Sequence, residues 1–268
     1  MICNHLRRTQ SLAFNNLNKP SMKTIIKSMF RDQRQFRLFT VMCMSTIFGF
    51  ALIAVRLHYA NFEFEQIKSV KDLTNIRGTY SFMFLIWNLF LAWIPYWISL
   101  SIEKITRLTG SRLIVGTMLL CWLLFFPNAP YIVTDLLHLK SRSPIPKWYD
   151  MMVLVSFAWT GLMLGFLSLY EIQLFLKKRL HDNLVWMLTI SAIILCAFGI
   201  YLGRFLRWNS WDVITNPSSL LQDITESFSN PMVYSNTFNI TIVFSCFLLL
   251  SYLTLVALMS EGSHRFKK

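Results

Sequence analysis

Residues 113–134 have the sequence LIVGTMLLCWLLFFPNAPYIVT, a run of 22 residues without a charged side chain. A helix that crosses a hydrocarbon core of about 30 Å needs about 20 predominantly apolar residues. The stretch therefore has the length and composition of a membrane span. Two prolines interrupt it near its end, so this span is predicted to be broken.

Five further charge-free windows follow the same pattern. They cover residues 38–55, 79–102, 151–170, 183–203 and 227–260. The last window is longer than one span needs, and Pro231 predicts that its helix begins near Val233 and ends near Met259. Every window is apolar on all sides, which is typical of helices buried in lipid or protein. The predicted fold class is all-α: a polytopic transmembrane helix bundle of about six spans, with a broken third helix and a short interfacial helix after it.

The composition excludes an ordinary soluble domain. Of the residues, 54% are hydrophobic and only 15% are charged, against about 25% charged in soluble domains. The net charge of +13 does not indicate a nucleic-acid partner, because such a protein gathers its basic residues on one solvent face. Here they lie between the windows, so the predicted partner is the lipid bilayer and not nucleic acid; protein partners cannot be identified from the sequence.

The distribution of basic residues predicts an orientation. With the amino terminus in the cytoplasm, 17 of the 26 Lys and Arg residues lie on the inner side and nine on the outer side. The positive-inside rule then predicts a multi-pass protein of the cell membrane with both termini cytoplasmic. The domains are a basic segment (1–36), a transmembrane domain (37–260) and a basic tail (261–268). Met22 is an alternative start within the first segment.

Cofactor and metal sites are not predicted. Four of the five cysteines lie within predicted spans without paired spacing, so they are interpreted as packing residues. A single histidine near scattered aspartates provides too few ligands for a metal. Nucleotide-binding loops, zinc-protease helices and nucleophile elbows are absent from the sequence.

The break in the third window leaves room for a pocket. From Leu113 to Phe126 the helix spans roughly 21 Å at 1.5 Å per residue, which is short of the hydrocarbon thickness unless it begins before Arg112. Pro127 and Pro130 then interrupt the backbone hydrogen bonds, and such backbone is tolerated at membrane depth only against protein or a wet cavity.

A polar stripe follows the break. Asn128 is suited to cap a new short helix, on which Asn128, Tyr131, Asp135 and His138 lie within about 80° at 100° per residue. One interpretation is an interfacial amphipathic helix. The other is a pocket lining, in which Asn128 and Tyr131 bind a ligand and Asp135 and His138 form a catalytic acid/base pair.

A second polar group follows the fifth window on the same predicted outer side. Arg204 and Arg207 are expected to share a helix face, where they hold an anion, extend to the membrane surface, or pair with Asp135 or Asp212. Asn209 and Asp212 complete the predicted ligand-binding residues. We expect the two polar groups to meet, with the side chains of Asp135 and Arg204 within about 12 Å of each other.

Glycines spaced four apart occur in two windows. Gly161 with Gly165, and Gly199 with Gly203, predict a close approach of the fourth and fifth helices.

Three strings give the chain a family resemblance. PNAPY (127–131), TDLLH (134–138) and GRFLRWNSWD (203–212) resemble the domain of unknown function 1361 family of bacterial membrane proteins, over roughly residues 40–260. The resemblance implies a bacterial multi-pass membrane protein, and it carries no catalytic residue with it.

The sequence leaves three functions open, and it does not decide whether the chain is an enzyme. The first is an outer-face site that handles an anionic lipid or envelope precursor. The second is a small transporter, which the broken helix favours. The third is an accessory or assembly protein without chemistry.

Overall fold

The computed structural model describes residues 30–59, 82–138, 146–229 and 235–265. Within these ranges every regular element is a helix, which confirms the all-α prediction. Two compact units, Met1–Met44 and Ser45–Lys268, divide the chain inside the first helix. Residues 1–29, which include Met22, and residues 266–268 of the tail lie outside the described ranges.

Nine α-helices and one 3-10 helix make up the described residues. They are α1 (Gln33–Tyr59), α2 (Met83–Thr109), α3 (Arg112–Phe125), α4 (Asn128–Tyr131), the 3-10 helix (Ile132–His138), α5 (Lys147–Lys177), α6 (Asp182–Phe205), α7 (Asp212–Thr215), α8 (Pro217–Ser229) and α9 (Ser235–Arg265). In the described residues, six stretches are long and apolar enough to cross a membrane, and the third of these, Arg112–Leu137, joins α3, α4 and the 3-10 helix.

The described part of the first unit is the start of α1. The carboxylate of Asp32 accepts the backbone N–H of Gln35 at 2.7 Å, and the Gln35 side chain accepts the N–H of Arg31 at 2.7 Å. This exchange is close to a capping box, which satisfies the free N–H groups of a first turn. It starts α1 at Gln33, ahead of the apolar window that begins at residue 38.

The second unit is a helical bundle built around α5. In the most apolar stretch of α5, 72% of the residues are buried, whereas 17% are buried in the corresponding stretch of α9. The core that α5 shares with α3, α6 and α9 includes Trp122, Phe166, Ile193 and Tyr252. Because α5 is surrounded by other helices, its apolar residues cover the whole circumference rather than one face.

Hydrogen bonds between helices fix the packing inside this unit. The indole of Trp122 donates to the hydroxyl of Ser168 at 2.6 Å, and the indole of Trp93 donates to Thr46 at 3.1 Å. A buried indole N–H needs such a partner where no water is present. These bonds therefore connect α3 to α5 and α2 to α1.

The helix ends near residues 59, 83, 138, 147 and 205 lie on one side of the bundle, here named the site end, because side-chain bonds connect Arg56 to Asp150, Asn88 to Asp135, and Asp135 to Arg204. A further helix, α8, lies beyond α6 and was not predicted. Its apolar positions are interrupted by Asp223 and Glu226, which removed it from the charge-free windows, yet Leu220 is buried.

Candidate functional site

The third span breaks where the prolines predicted it. α3 begins at Arg112, where the hydroxyl of Ser111 accepts the N–H of Ile114, and it is 14 residues long. Beyond Phe125 the chain continues through α4 and the 3-10 helix; residues 127–138 are named the broken segment here. The N–H of Tyr131 donates to the carbonyl of Pro127 at 3.0 Å, so the backbone recovers its bonding within one turn.

Most of the broken segment is buried or partly buried in the bundle, and Leu137 near its end is exposed. Ala129 and Ile132 are fully buried, and the backbone packs against α5. The short helix after the break is thus present, and it lies among the other helices.

Four glycines make room for the broken segment. A Cβ atom at Gly161 would lie 2.6 Å from the carbonyl oxygen of Ala129, and one at Gly199 would lie 2.7 Å from the ring of Pro127. Gly165 and Gly203 contact the same segment. The fourth and fifth helices do contact each other, but each glycine pair faces the broken segment, and not the other helix as the spacing had predicted.

Asn128 does not cap a helix, which corrects the prediction. α4 starts at Asn128 itself, and no side-chain bond caps it. The Asn128 amide instead donates to the carbonyl of Phe125 at 3.1 Å and to the hydroxyl of Ser210 at 2.9 Å. Ser210 in turn donates to the carbonyl of Leu124 at 3.2 Å. Asn128 thus satisfies carbonyls freed by the break and ties them to the chain after α6.

Asp135 and Arg204 form an ion pair, so their predicted proximity is confirmed. The closest nitrogen of Arg204 lies 3.3 Å from a carboxylate oxygen of Asp135, and another donates to the carbonyl of Thr134 at 3.0 Å. Asp135 is 1% exposed. Of the three roles considered for Arg204, pairing with Asp135 is the observed one.

Asn88 is a further partner of this pair that sequence reasoning missed. Its amide donates to the second carboxylate oxygen of Asp135 at 3.0 Å. The signal was present, because Asn88 is the only amide side chain in residues 79–102. Polar side chains are rare in spans and tend to bind another polar group there.

His138 ends the 3-10 helix, and its side chain lies outside the described residues. Positions three apart are eclipsed in a 3-10 helix, so the backbone places Asp135 and His138 on one face. The predicted acid/base pair stays a prediction.

Arg207 does not share a helix face with Arg204, which corrects the prediction that the two arginines lie on one face of a helix. α6 ends at Phe205, and Arg207 adopts a left-handed backbone with φ 63°. The N–H of Trp208 donates back to the carbonyl of Leu202 at 3.1 Å, so the chain reverses here. Arg207 is exposed.

Asn209 and Asp212 form a local turn. The backbone and amide of Asn209 donate to one Asp212 oxygen at 2.7 and 3.3 Å, and Thr215 donates to the other at 3.1 Å. The backbone N–H of Asn209 holds the pKa of the Asp212 carboxyl below its ordinary value. Asp212 therefore stabilises the start of α7 and is not brought to Arg204. Next to it, the indole of Trp208 donates to Asp223 at 2.8 Å, which connects α8 to the turn.

A cavity of about 550 Å³ lies at the site end between α2, α3, α6 and the broken segment. Leu120 and Leu195 line the cavity and are 70% and 50% exposed, so this part of its wall reaches the apolar outer surface of the bundle. Asn88, Asn128 and Tyr131 contribute polar groups to its wall. The size and the mixture of mostly apolar walls with a few polar groups are typical of small-molecule sites.

A second ion pair at the site end was not predicted. Arg56 donates to Asp150 at 2.8 Å, and the two side chains are 1% and 2% exposed. The guanidinium also lies 4.1 Å from the ring centroid of Phe82. Both charges fall at the edges of apolar windows, where sequence alone suggests a surface position. The pair connects the end of α1 to the start of α5 and does not line the cavity.

Comparison with known proteins gives one family. No curated protein and no solved structure matches the chain. A family described as "protein of unknown function (DUF1361)" matches residues 87–259, a range that contains most of α2, all of α3 through α8, the cavity and most of α9. The chain therefore belongs to the DUF1361 family of proteins of unknown function.

Proposed function

We propose that this membrane protein binds an amphiphilic lipid, or a lipid-linked envelope precursor, in the cavity at the site end. The observation that carries the proposal is the cavity itself. Its apolar outer wall at Leu120 and Leu195 suits a hydrocarbon chain, and its polar wall at Asn88, Asn128 and Tyr131 suits a head group. An amphiphile satisfies both surfaces at once.

The site end is proposed to face outward from the cell membrane. The excess of Lys and Arg on the opposite side of the predicted spans supports this orientation. Exposed Trp148 and Trp211 at the site end agree with a membrane–water boundary, where Trp is enriched. A head group bound here would then lie at the outer leaflet.

The charge at the site favours binding over proton transfer. The positive charge of Arg204 is balanced by Asp135, and Asp135 is buried between Arg204 and Asn88. An anionic group on the lipid would have Arg207 as its counter-charge, because this exposed residue directly precedes Trp208 in the cavity wall. Transport is a weaker candidate, because the cavity extends from the middle of α3 and α6 to the site end, whereas transporter sites centre on the midplane.

The test is lipid retention after purification, with a variant that fills the cavity. Leu195→Trp places an indole in the cavity, while Ile194→Trp adds the same group one position away on α6, at a site of similar exposure (48%) outside the cavity wall. We expect lipid extracted from the purified protein and quantified by mass spectrometry to fall severalfold for Leu195→Trp only. Equal retention by the two folded variants would contradict the proposal.

A further inference from the structure

The cavity wall has a distinctive chemical character. Its described residues include three Asn side chains, a serine, a tyrosine and two tryptophans, and none of them is Asp, Glu, Lys, Arg or His. A phosphate would need a cationic or a densely N–H-lined wall, and an ammonium group would need a carboxylate or a cage of aromatic faces. The part of the ligand inside this cavity is therefore matched best by uncharged polar groups.

Some of these polar groups are already bonded within the protein and others are not. Both N–H groups of Asn128 and the hydroxyl of Ser210 are used to bind the broken segment. In contrast, the side-chain oxygen of Asn88 and the hydroxyl of Tyr131 make no hydrogen bond with the described residues. An amide oxygen accepts and a phenol both donates and accepts, so these two groups complement a ligand hydroxyl.

Aromatic surface lies beside these groups. Trp87 is 53% exposed and lines the cavity, as does Trp208. One face of a sugar ring consists of C–H bonds, which pack on an indole, while its hydroxyls point to the sides where amides and phenols bind them. The volume of about 550 Å³ is ample for one sugar ring with the first carbons of a lipid chain.

We infer that the head group in the cavity is an uncharged sugar, so that the ligand class is a glycolipid. The inference rests on the proposed lipid-binding function and specifies its substrate class. In this arrangement Asn88 and Tyr131 bind sugar hydroxyls, Trp87 packs on the ring, and the hydrocarbon leaves between Leu120 and Leu195. Asp135 and its ion-pair partner Arg204 are positioning residues, because Asp135 accepts the N–H of the Asn88 amide and so fixes this side chain in the cavity wall.

The experiment is a native mass-spectrometry titration of the full-length protein in one detergent with four lipids that carry the same dioleoyl chains. These are monoglucosyl-diacylglycerol, diacylglycerol, phosphatidylglycerol and phosphatidylcholine. We expect the glucolipid to bind about tenfold or more tightly than each of the others, as two or three neutral hydrogen bonds allow. If diacylglycerol, phosphatidylglycerol or phosphatidylcholine binds as tightly, the sugar inference is wrong while lipid binding stands.

Matched variants test the assigned groups. Tyr131→Phe should weaken glucolipid binding about two- to tenfold, the effect of one neutral hydrogen bond, and should weaken binding of diacylglycerol, which carries a single hydroxyl, by a smaller factor. Tyr201→Phe, a buried tyrosine outside the wall, should change neither. Trp87→Leu should likewise weaken the glucolipid, whereas Trp159→Leu, at a position 57% exposed on α5, should not. Equal effects within each pair of variants would overturn the assignment of these groups. If none of the four lipids binds saturably, the proposed function is overturned as well.

Discussion

At the scale of single residues, the ion pair between Asp135 and Arg204 determines how the site end holds together. The carboxylate is buried and the guanidinium side chain is 13% exposed. Removal of one partner from a buried pair leaves an uncompensated charge, which costs more than removal of both. The pair is thus expected to show coupling that an exposed arginine does not show.

A double-mutant cycle measures this coupling. Arg204→Met and Asp135→Asn should each destabilise the protein by about 3–5 kcal/mol, and the double variant should recover part of that loss. Arg207→Met, at an exposed position, should cost less than about 0.5 kcal/mol. The readouts are the thermal midpoint and the detergent-extracted yield. Small and additive effects of the two single changes would show that Arg204 merely extends to the surface.

The stability of the turn at Asp212, which lies outside the spans, is expected to depend on pH. The pKa of Asp212 is lowered in the folded protein by the N–H of Asn209, so the turn gains stability above the ordinary aspartate pKa and loses it as the pH falls through the lowered value. We expect the amide-exchange protection factor of Asn209 to fall over that acidic range. In Asp212→Asn the protection should be independent of pH; an unchanged acidic loss in this variant would contradict the assignment.

At the scale of elements, the broken segment and the two glycine pairs form one packing unit. The carbonyl of Ala129 faces Gly161, and the ring of Pro127 faces Gly199. Backbone and proline rings cannot rotate away as a long side chain can, so the space at these two positions is fixed. At the break the third span is therefore held by its neighbours as well as by its own hydrogen bonds.

Substitution of one glycine tests this packing. Gly161→Ala should destabilise the protein by about 1–3 kcal/mol through overpacking. Gly116→Ala is the matched control on α3, because its Cβ would meet nothing within 4 Å; it should be neutral or stabilising by up to about 1 kcal/mol. Thermal midpoints of the two purified variants decide the question. Equal midpoints would mean that Gly161 is not needed for the close approach.

Sequence predicted the elements of this fold better than their contacts. The spans followed from apolar runs of the required length, and Pro127 located the break. The role of Gly161 could not be predicted, because its contact with Ala129 connects distant parts of the chain. α8 was missed because Asp223 and Glu226 interrupt its apolar pattern, and Arg207 left its expected face because the helix ends just before it.

The candidate site was also predicted only in part, because its contacts join residues that are distant in the chain. Asp135 and Arg204 were singled out as charges at span ends, and the structure pairs them. Asn88 was overlooked, since an isolated amide in an apolar window gives no indication of its partner. The Arg56–Asp150 pair was overlooked as well, because burial of both charges depends on how two helix ends meet.

At the scale of the whole molecule, the orientation across the membrane remains a prediction from charge. Single cysteines placed at Ser143 and Ser218 in a cysteine-free background should react with an impermeant maleimide in intact cells. A cysteine at Thr109, the last residue of α2 beside the connection to α3, should react only after permeabilisation. The reverse pattern would place the site end in the cytoplasm and remove the outer-face proposal.

The most direct test of the central claim is a cryo-EM structure of the full-length protein in nanodiscs made from native lipid. The account predicts continuous density for one lipid in the cavity, with its chain between Leu120 and Leu195 and its head group within hydrogen-bond distance of Asn88 and Tyr131. A map at side-chain resolution in which α3 and α6 close together, or in which the cavity wall contacts no lipid, would contradict it.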